Sequence, residues 1–307
     1  MESDGQASLA EVDAPDRGGF RERWVDRNGH RIYVRDHPGQ GPAIVLLHGF
    51  PDNLHLYDRV WPYLTQAGRR VVAFDFLGWG ASDKPARYPY TATNQTGDLD
   101  AVLGQLGLDG VVLVAHDASG PPAIDWALAQ PERVASLVLL NTYYSAMATL
   151  RPPEAILLFS LPLLRNLART VIRASDTLDR RLYVWQVGRF ISDTTDRGQL
   201  TRLLYQQFRP TRPAFWALNN DLFGTIVSRT RRIRRLRSFT RPVRIIFGAA
   251  DPYLNAGWRG ASTGCSPPPS CSCWKEPATT SRSTSRSRSP GCSSRPRSPA
   301  DGGAAVP

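Results

Sequence analysis

At 307 residues, 41% of them apolar, the chain can bury one sizeable core carrying an inserted subdomain. No uninterrupted apolar run approaches the roughly 20 residues of a membrane-spanning helix, which excludes a span. The formal net charge of +11 is partly a matter of the tail: residues 258–307 hold seven basic and two acidic side chains, and all four cysteines (Cys265, Cys271, Cys273, Cys292), so the cysteines carry no information on the redox compartment of the body.

The stretch 1–19 is acidic, rich in small residues and without an apolar h-region, the composition of a disordered leader rather than a signal peptide. A cytoplasmic location is therefore expected. From Phe20 onward strand-like and helix-like segments alternate, the pattern of an α/β domain with a parallel sheet covered on both faces. Arg21 to Val25 and Arg31 to Asp36 flank Asn28-Gly29, a hairpin-turn signal, so the sheet is expected to open with an antiparallel pair. Ala43 to Leu47, Arg70 to Phe74, Val111 to Ala115 and Val134 to Leu140 are short runs rich in Val, Ile and Leu, as strands buried on both faces require. Thr91 to Leu106 and Gly120 to Ala129 read as helices between them; the second opens with two prolines, whose missing N–H groups cost nothing in a first helical turn. From Tyr143 to Arg241 strand signals cease and long helical stretches follow, an inserted helical cap. The strand Val243 to Phe247 then resumes the main domain. The expected division is a core at 20–142 and 242–257, a cap at 143–241 and a disordered Ser/Arg/Pro-rich tail at 258–307.

The chemistry concentrates where strands end. Val111 to Ala115 runs into His116-Asp117-Ala118-Ser119-Gly120 and then a helix, the arrangement of a nucleophile elbow. Such a turn holds its nucleophile in a strained conformation and needs small residues two before and two and three after it; Ala115, Ser119 and Gly120 meet that need around Asp117. Centring the elbow on Ser119, which would make a serine esterase, puts Asp117 and Pro121 at the small positions and fits poorly. An N-cap for the following helix is the plain structural role for Asp117. A second loop, His48-Gly49-Phe50-Pro51, follows Ala43 to Leu47 and is of the kind that donates an oxyanion-hole N–H. The backbone N–H groups of Phe50 and Ala118 are the expected pair. His48 and His116 are read as structural.

With these motifs in order, and with Asp75-Phe76-Leu77-Gly78-Trp79-Gly80-Ala81-Ser82-Asp83-Lys84-Pro85 and Gly248-Ala249-Ala250-Asp251-Pro252, the chain from Phe20 to about Gly257 resembles the haloalkane dehalogenase and epoxide hydrolase group of α/β-hydrolases. The resemblance implies an α/β-hydrolase fold with a helical cap. It implies further that Asp117 attacks carbon to form an alkyl-enzyme ester, and that Asp251 orients a histidine that activates water. No metal or organic cofactor is implied; the partners are a small apolar halide or epoxide and water, with no nucleic acid and no membrane, and the oligomeric state stays open. Dehalogenases of the group usually carry a tryptophan directly after the nucleophile, where this chain has Ala118, so halide binding would fall to cap tryptophans Trp185 and Trp216. Epoxide opening would need a cap tyrosine, with Tyr183 and Tyr205 as candidates. For each of these four, ordinary helix packing is the competing role.

After Gly257 apolar periodicity stops, and the printed residues do not supply the last strand and helix such a fold requires. The cysteines lack paired CxxC spacing and a nearby histidine, against zinc; the Ser-Arg alternation of 281–289 has the charge for non-specific RNA binding without interleaved aromatics. A frame shift is the third reading. Joining the last base of each codon to the first two of the next permits Leu-Glu-Gly from Cys273 to Glu276 and Ala-Gly-His-Tyr through Thr280; the same shift from Trp258 permits Ala-Arg-Arg-Phe-His-Gly-Leu-Phe, a helix-like run. In the frame as given there is no histidine after His116, hence no evident hydrolytic base, and an inactive product is the alternative to an enzyme.

Overall fold

The computed structural model of the chain describes residues 19–146, 150–191, 197–248, 251, 253–254 and the backbone of 272–274. Strands β1 (Arg21–Arg27) and β2 (His30–His37) form the expected hairpin, paired from Arg21↔Asp36 to Arg27↔His30. Asn28 and Gly29 both take positive φ, +55° and +79°, which is the twist a two-residue hairpin turn needs. β3 (Gln40–Leu47), β4 (Arg69–Phe74), β5 (Val111–Asp117), β6 (Val134–Thr142), β7 (Val243–Gly248) and β8 (Ser272–Trp274) follow in one sheet of order β1-β2-β4-β3-β5-β6-β7-β8, antiparallel over the first three strands and parallel from there.

The central strands bury both faces. Val45, Leu47, Val72, Phe74, Leu113 and Ala115 point to one side, against α2 (Ala92–Gln105) and α3 (Gly120–Ala129) with Leu99, Val102, Leu103, Ala123 and Trp126. Ile44, Leu46, Val71, Ala73 and Val114 point to the other, where Leu54 and Tyr57 cover them. This two-sided burial is why the sequence shows runs rather than alternation at these strands. α2 starts where expected because the Thr91 hydroxyl accepts from the Asn94 N–H; α1 (Trp61–Gln66) is a short addition between β3 and β4.

Between β6 and β7 the described residues form six helices: α4 (Glu154–Ser160), α5 (Pro162–Ala174), α6 (Asp176–Gly188), α7 (Arg197–Phe208), α8 (Arg212–Asn220) and α9 (Leu222–Arg232). They share a small core of their own around Phe159, Tyr183, Phe208, Phe215 and Trp216, and it meets the sheet domain at Phe50. A salt bridge ties the two parts together: Arg229 of α9, itself buried, reaches Asp125 of α3 at 2.5 Å, and Tyr144 donates to the same carboxylate at 2.9 Å.

One expectation is corrected at the far edge. Ser272–Trp274 forms a short strand, β8, parallel to β7 with Ile246↔Ser272 and Gly248↔Trp274, so three residues assigned to a disordered tail belong to the sheet. The edge of β7 offers unpaired N–H and C=O groups to any extended segment, whatever its side chains. The remaining tail positions, including Cys265, Cys271 and Cys292, lie outside the described residues, as does the leader up to Gly18.

Candidate active site

The site is assembled where β3 and β5 end side by side. β5 runs straight into the turn before α3, and Asp117 sits at its end with φ +50°, a left-handed conformation that costs a non-glycine residue about 1 kcal/mol or more. What over-determines it is local. The Ser119 hydroxyl accepts from the His116 N–H at 2.9 Å and donates to backbone carbonyls, 2.7 Å from that of His116 and 3.1 Å from that of Leu47. Thr142 of the neighbouring β6 donates to the Asp117 carbonyl. Gly120 lets α3 come this close, since a Cβ there would stand 1.9 Å from Thr142 Oγ1. Ser119 is therefore the fastener of the turn, fully buried and hydrogen-bonded to backbone, and not presented as a nucleophile.

The loop after β3 packs against this turn with equal tightness. A Cβ on Gly49 would lie 2.7 Å from Asp117 Cβ and 2.6 Å from His116 Nδ1. The Phe50 N–H thereby donates to Asp117 Oδ2 at 3.0 Å, and the Ala118 N–H also bonds the carboxylate. The two N–H groups expected of an anion hole converge on one carboxylate. Burial nevertheless dominates: it pushes the Asp117 carboxyl up to about 7, with the Ala118 N–H working against it and the Asp52 carboxylate nearby adding to it. A carboxylate that is ionised at every neutral pH is thus not what this turn provides; the group is poised near neutrality.

His48 is locked with Nδ1 2.8 Å from the Gly49 carbonyl and Nε2 accepting from the Phe76 N–H at 3.2 Å. Burial holds its pKa below the usual imidazole value. His116 is likewise held down, to about 4, by burial. Both are structural histidines, as expected. Behind them the 75–85 motif acts as scaffolding, because the Asp75 carboxylate accepts from the Leu54 and Ala81 N–H groups, each at 2.8 Å, and so pins the loop that carries Phe50.

Asp251 stands just beyond β7, at the same end of the sheet. Asn141 Nδ2 donates to its Oδ2 at 2.5 Å, and the Tyr253 and Leu254 N–H groups donate to its Oδ1 at 2.8 and 2.9 Å. Asn141 also accepts from the Gly248 N–H at 3.1 Å, so it aligns β6, β7 and the acid together. Asn141 was not singled out in the sequence, although its place at the end of a central strand was the available signal.

The four cap candidates separate. Tyr183 is buried in the cap core, stacked 4.7 Å from Phe208, and burial with the charge of Asp52 raises its hydroxyl pKa. Tyr205 spends its hydroxyl on Asp179 at 2.9 Å, in a cap network completed by Arg212 2.7 Å from the same oxygen. Trp216 packs against Phe159 with the Arg173 guanidinium 4.9 Å from its ring, in the cap's own core. Trp185 is 48% exposed beneath Arg189 and is not a site residue. A helix shows only one face inward, and neighbours in sequence differ by about 100°: Phe215, one residue from Trp216, is the ring that stacks on Phe50, at 4.5 Å.

A small apolar pocket adjoins the elbow, lined by Ala92, Ala118, Pro121, Tyr143, Leu218, Leu222 and Thr225. Its polar members are Thr225 and Tyr143; Tyr143 follows Thr142 directly and feels the Asp117 carboxylate, and burial and that charge hold its hydroxyl protonated well above the ordinary phenol range. Sequence reasoning sought the tyrosine in the helices and missed this one, which the β6 register alone brings beside Asp117.

Residues 42–259 match the family model described as alpha/beta hydrolase fold. Over 121 residues the chain is 37% identical to epoxide hydrolase 2 of Siraitia grosvenorii, covering 39% of this chain and 38% of that protein. Over 127 residues it is 39% identical to a fluoroacetate dehalogenase of Burkholderia sp, covering 40% and 41%. The matched stretch thus spans about two-fifths of the length of these relatives. Among solved structures, the haloalkane dehalogenase DatA from Agrobacterium tumefaciens C58 superposes with a TM-score of 0.68 at 21% identity, over 84% of this chain and 88% of that one, a likeness of fold.

Proposed function

We propose, for a chain that belongs to the alpha/beta hydrolase fold family, in its epoxide hydrolase and dehalogenase group, that Asp117 is the nucleophile of an alkyl-transfer hydrolase acting on a small apolar epoxide or haloalkane. The observation that carries this reading is a carboxylate held at positive φ on a strand-to-helix turn, with the Phe50 N–H on one of its oxygens. Held so, the carboxylate has a lone pair to direct at an alkyl carbon beside Ala118, and the electrons of the breaking C–O or C–halogen bond leave with the departing atom. The enzyme ester that forms places its carbonyl oxygen in the same pair of N–H groups.

Tyr143 and Tyr183 favour the epoxide over the halide. An opening epoxide develops an alkoxide that needs a proton, and the Tyr143 phenol lining the pocket is the donor this reading relies on, with Tyr183 of the cap as the second candidate; a halide needs indole or amide donors, which Trp185 and Trp216 do not bring. Water attack on the ester is a different matter. Asp251 is anchored for a histidine that the given sequence does not contain. The second reading, a single-turnover or inactive product of a gene whose frame changes near codon 257, rests on that gap and on the Gly-His turn the alternative frame permits.

Intact-mass spectrometry after incubation with a styrene-type epoxide or an alkyl bromide tests both. A stoichiometric adduct on the native chain and none on Asp117→Asn supports the nucleophile assignment. An adduct of equal yield on Asp117→Asn overturns it.

A further inference from the structure

The cap carries an amphipathic helix whose apolar stripe faces outward. On α5, Leu163 is 92% exposed and Leu167 66%, and Leu164 and Val171 are exposed with them. At 100° per residue these four fall within one 100° arc, while Ile172 alone of the helix is fully buried, on the opposite side. An exposed apolar row of this kind is a surface built for another apolar phase.

The charge around it states which phase. Between Tyr143 and Arg241 the chain has eighteen arginines and six carboxylates; the three on α5 (Arg165, Arg169, Arg173) fall on the side away from the leucine stripe, two of them against Trp216, so the outward charge is that of α9 and the turn after it. Acids of the neighbouring helices are spoken for: Glu154 lies 3.2 Å from Arg189, Asp176 2.6 Å from Arg209, and Asp179 2.7 Å from Arg212. At the far end of α8, where Arg169 of α5 donates to Asn220, α9 begins. It exposes Phe223 and Val227, then Arg231 and Arg232, and the 3-10 turn after it exposes Arg234, Arg235 and Arg237. Apolar side chains set in a cationic field match the acyl boundary of a bilayer with anionic headgroups. α4 and α5 meet at 105°, and no single helix among the described residues is long and apolar enough to cross a membrane, so the fit is to a surface and not to a span.

We propose that the cap docks on anionic lipid bilayers, with Leu163, Leu164, Leu167 and Val171 of α5 inserted at the headgroup boundary and the α9 arginines on the phosphates. The inner face of α9 supplies Leu222 and Thr225 to the pocket beside Ala118, so one helix is both the docking element and a wall of the site. An apolar substrate dissolved in the bilayer would reach the pocket without crossing bulk water. The docking itself does not depend on the reaction proposed above.

The test is flotation of the full chain with vesicles of phosphatidylcholine containing phosphatidylglycerol, against phosphatidylcholine alone. Binding to the anionic vesicles is expected, falling as salt is raised. Leu163→Asp and Leu167→Asp should each weaken it about tenfold or more, and Arg231→Glu or Arg235→Glu about fivefold or more, with unchanged circular dichroism and, for any Asp117 adduct, unchanged alkylation. Equal binding to neutral vesicles, absence of binding, or a leucine-dependent dimer in sedimentation velocity with no lipid binding would each overturn the proposal, the last by assigning the stripe to a second copy of the chain.

Discussion

Asp117 carries opposing demands. Its strained backbone and enclosed carboxyl are what suit it to the attack proposed above, and the same enclosure pushes its pKa from the ordinary 3.8 to about 7. The reactive form is the anion, so adduct formation should rise with pH through about 7 and level off above it, measured as initial alkylation rate by mass spectrometry. The stability consequence has the opposite sign: a carboxyl whose folded pKa is raised contributes stability below about 4 and loses that contribution as pH climbs to about 7. Asp117→Asn should therefore be the more stable protein at pH 8, by on the order of 2 kcal/mol in urea unfolding, with the gap closing toward pH 4. Tyr143 gives a prediction of another kind. Tyr143→Phe should slow epoxide opening about a hundredfold or more while leaving alkylation by a bromide within a few-fold, because only the former needs a proton. Equal loss on both substrates would mean that the phenol shapes the pocket and donates nothing. Asp117 and Phe50 could be found from the sequence since elbow and loop are contiguous motifs. Tyr143 could not, and Asn141 only as a residue at the end of a central strand, because what places them is the parallel pairing of β6 with its two neighbours, and no short motif records that.

Helices and strands were legible to the extent that their signals are local. The helix at Gly120–Ala129 appears where its double proline and apolar face put it, and β5 keeps the run of Val and Leu that two-sided burial demands, while β7, nearer the sheet edge, buries Phe247 and exposes Arg244. Which face of a cap helix turns inward was not legible: Trp185 and Trp216 have the chemistry of site residues and the wrong azimuth, whereas Phe215 was passed over. The junction between the elements can be probed at two points. Gly120→Ala would drive a methyl into Thr142 Oγ1 and with it disturb the bond to the Asp117 carbonyl; loss of alkylation is expected to exceed the loss of stability, read by comparing adduct rate with urea midpoint. Arg229→Ala leaves the partly buried Asp125 carboxylate with the Tyr144 hydroxyl but without its cation, and is expected to cost about 1.5–3 kcal/mol. Removing both charges, with Arg229→Met and Asp125→Leu together, should recover much of that loss in the same urea titration, which a purely steric role for Arg229 would not allow.

At the scale of the whole molecule the sheet runs to β7 and then, among the described residues, takes three more, Ser272–Trp274, from a stretch whose composition is that of no folded domain. The position of β8 has a bearing on the reading frame. It falls on Cys273-Trp274, the place where the shifted frame permits a leucine followed by Glu-Gly and, four residues later, the Gly-His turn. The resemblance implies a strand there to cover the β7 edge and a histidine after it to meet Asp251, which stands with Asn141 on one oxygen and two backbone N–H groups on the other. If the coding frame changes near codon 257, the restored chain should turn over its epoxide many times, whereas the chain as given should stop at one ester per molecule. Sequencing the gene, expressing both forms and comparing burst with steady state decides between them. Sustained turnover by the chain as given, surviving Asp251→Asn, would mean that the ester is hydrolysed by a group other than the one the fold prepares, and the expectation of a missing histidine would fall with it.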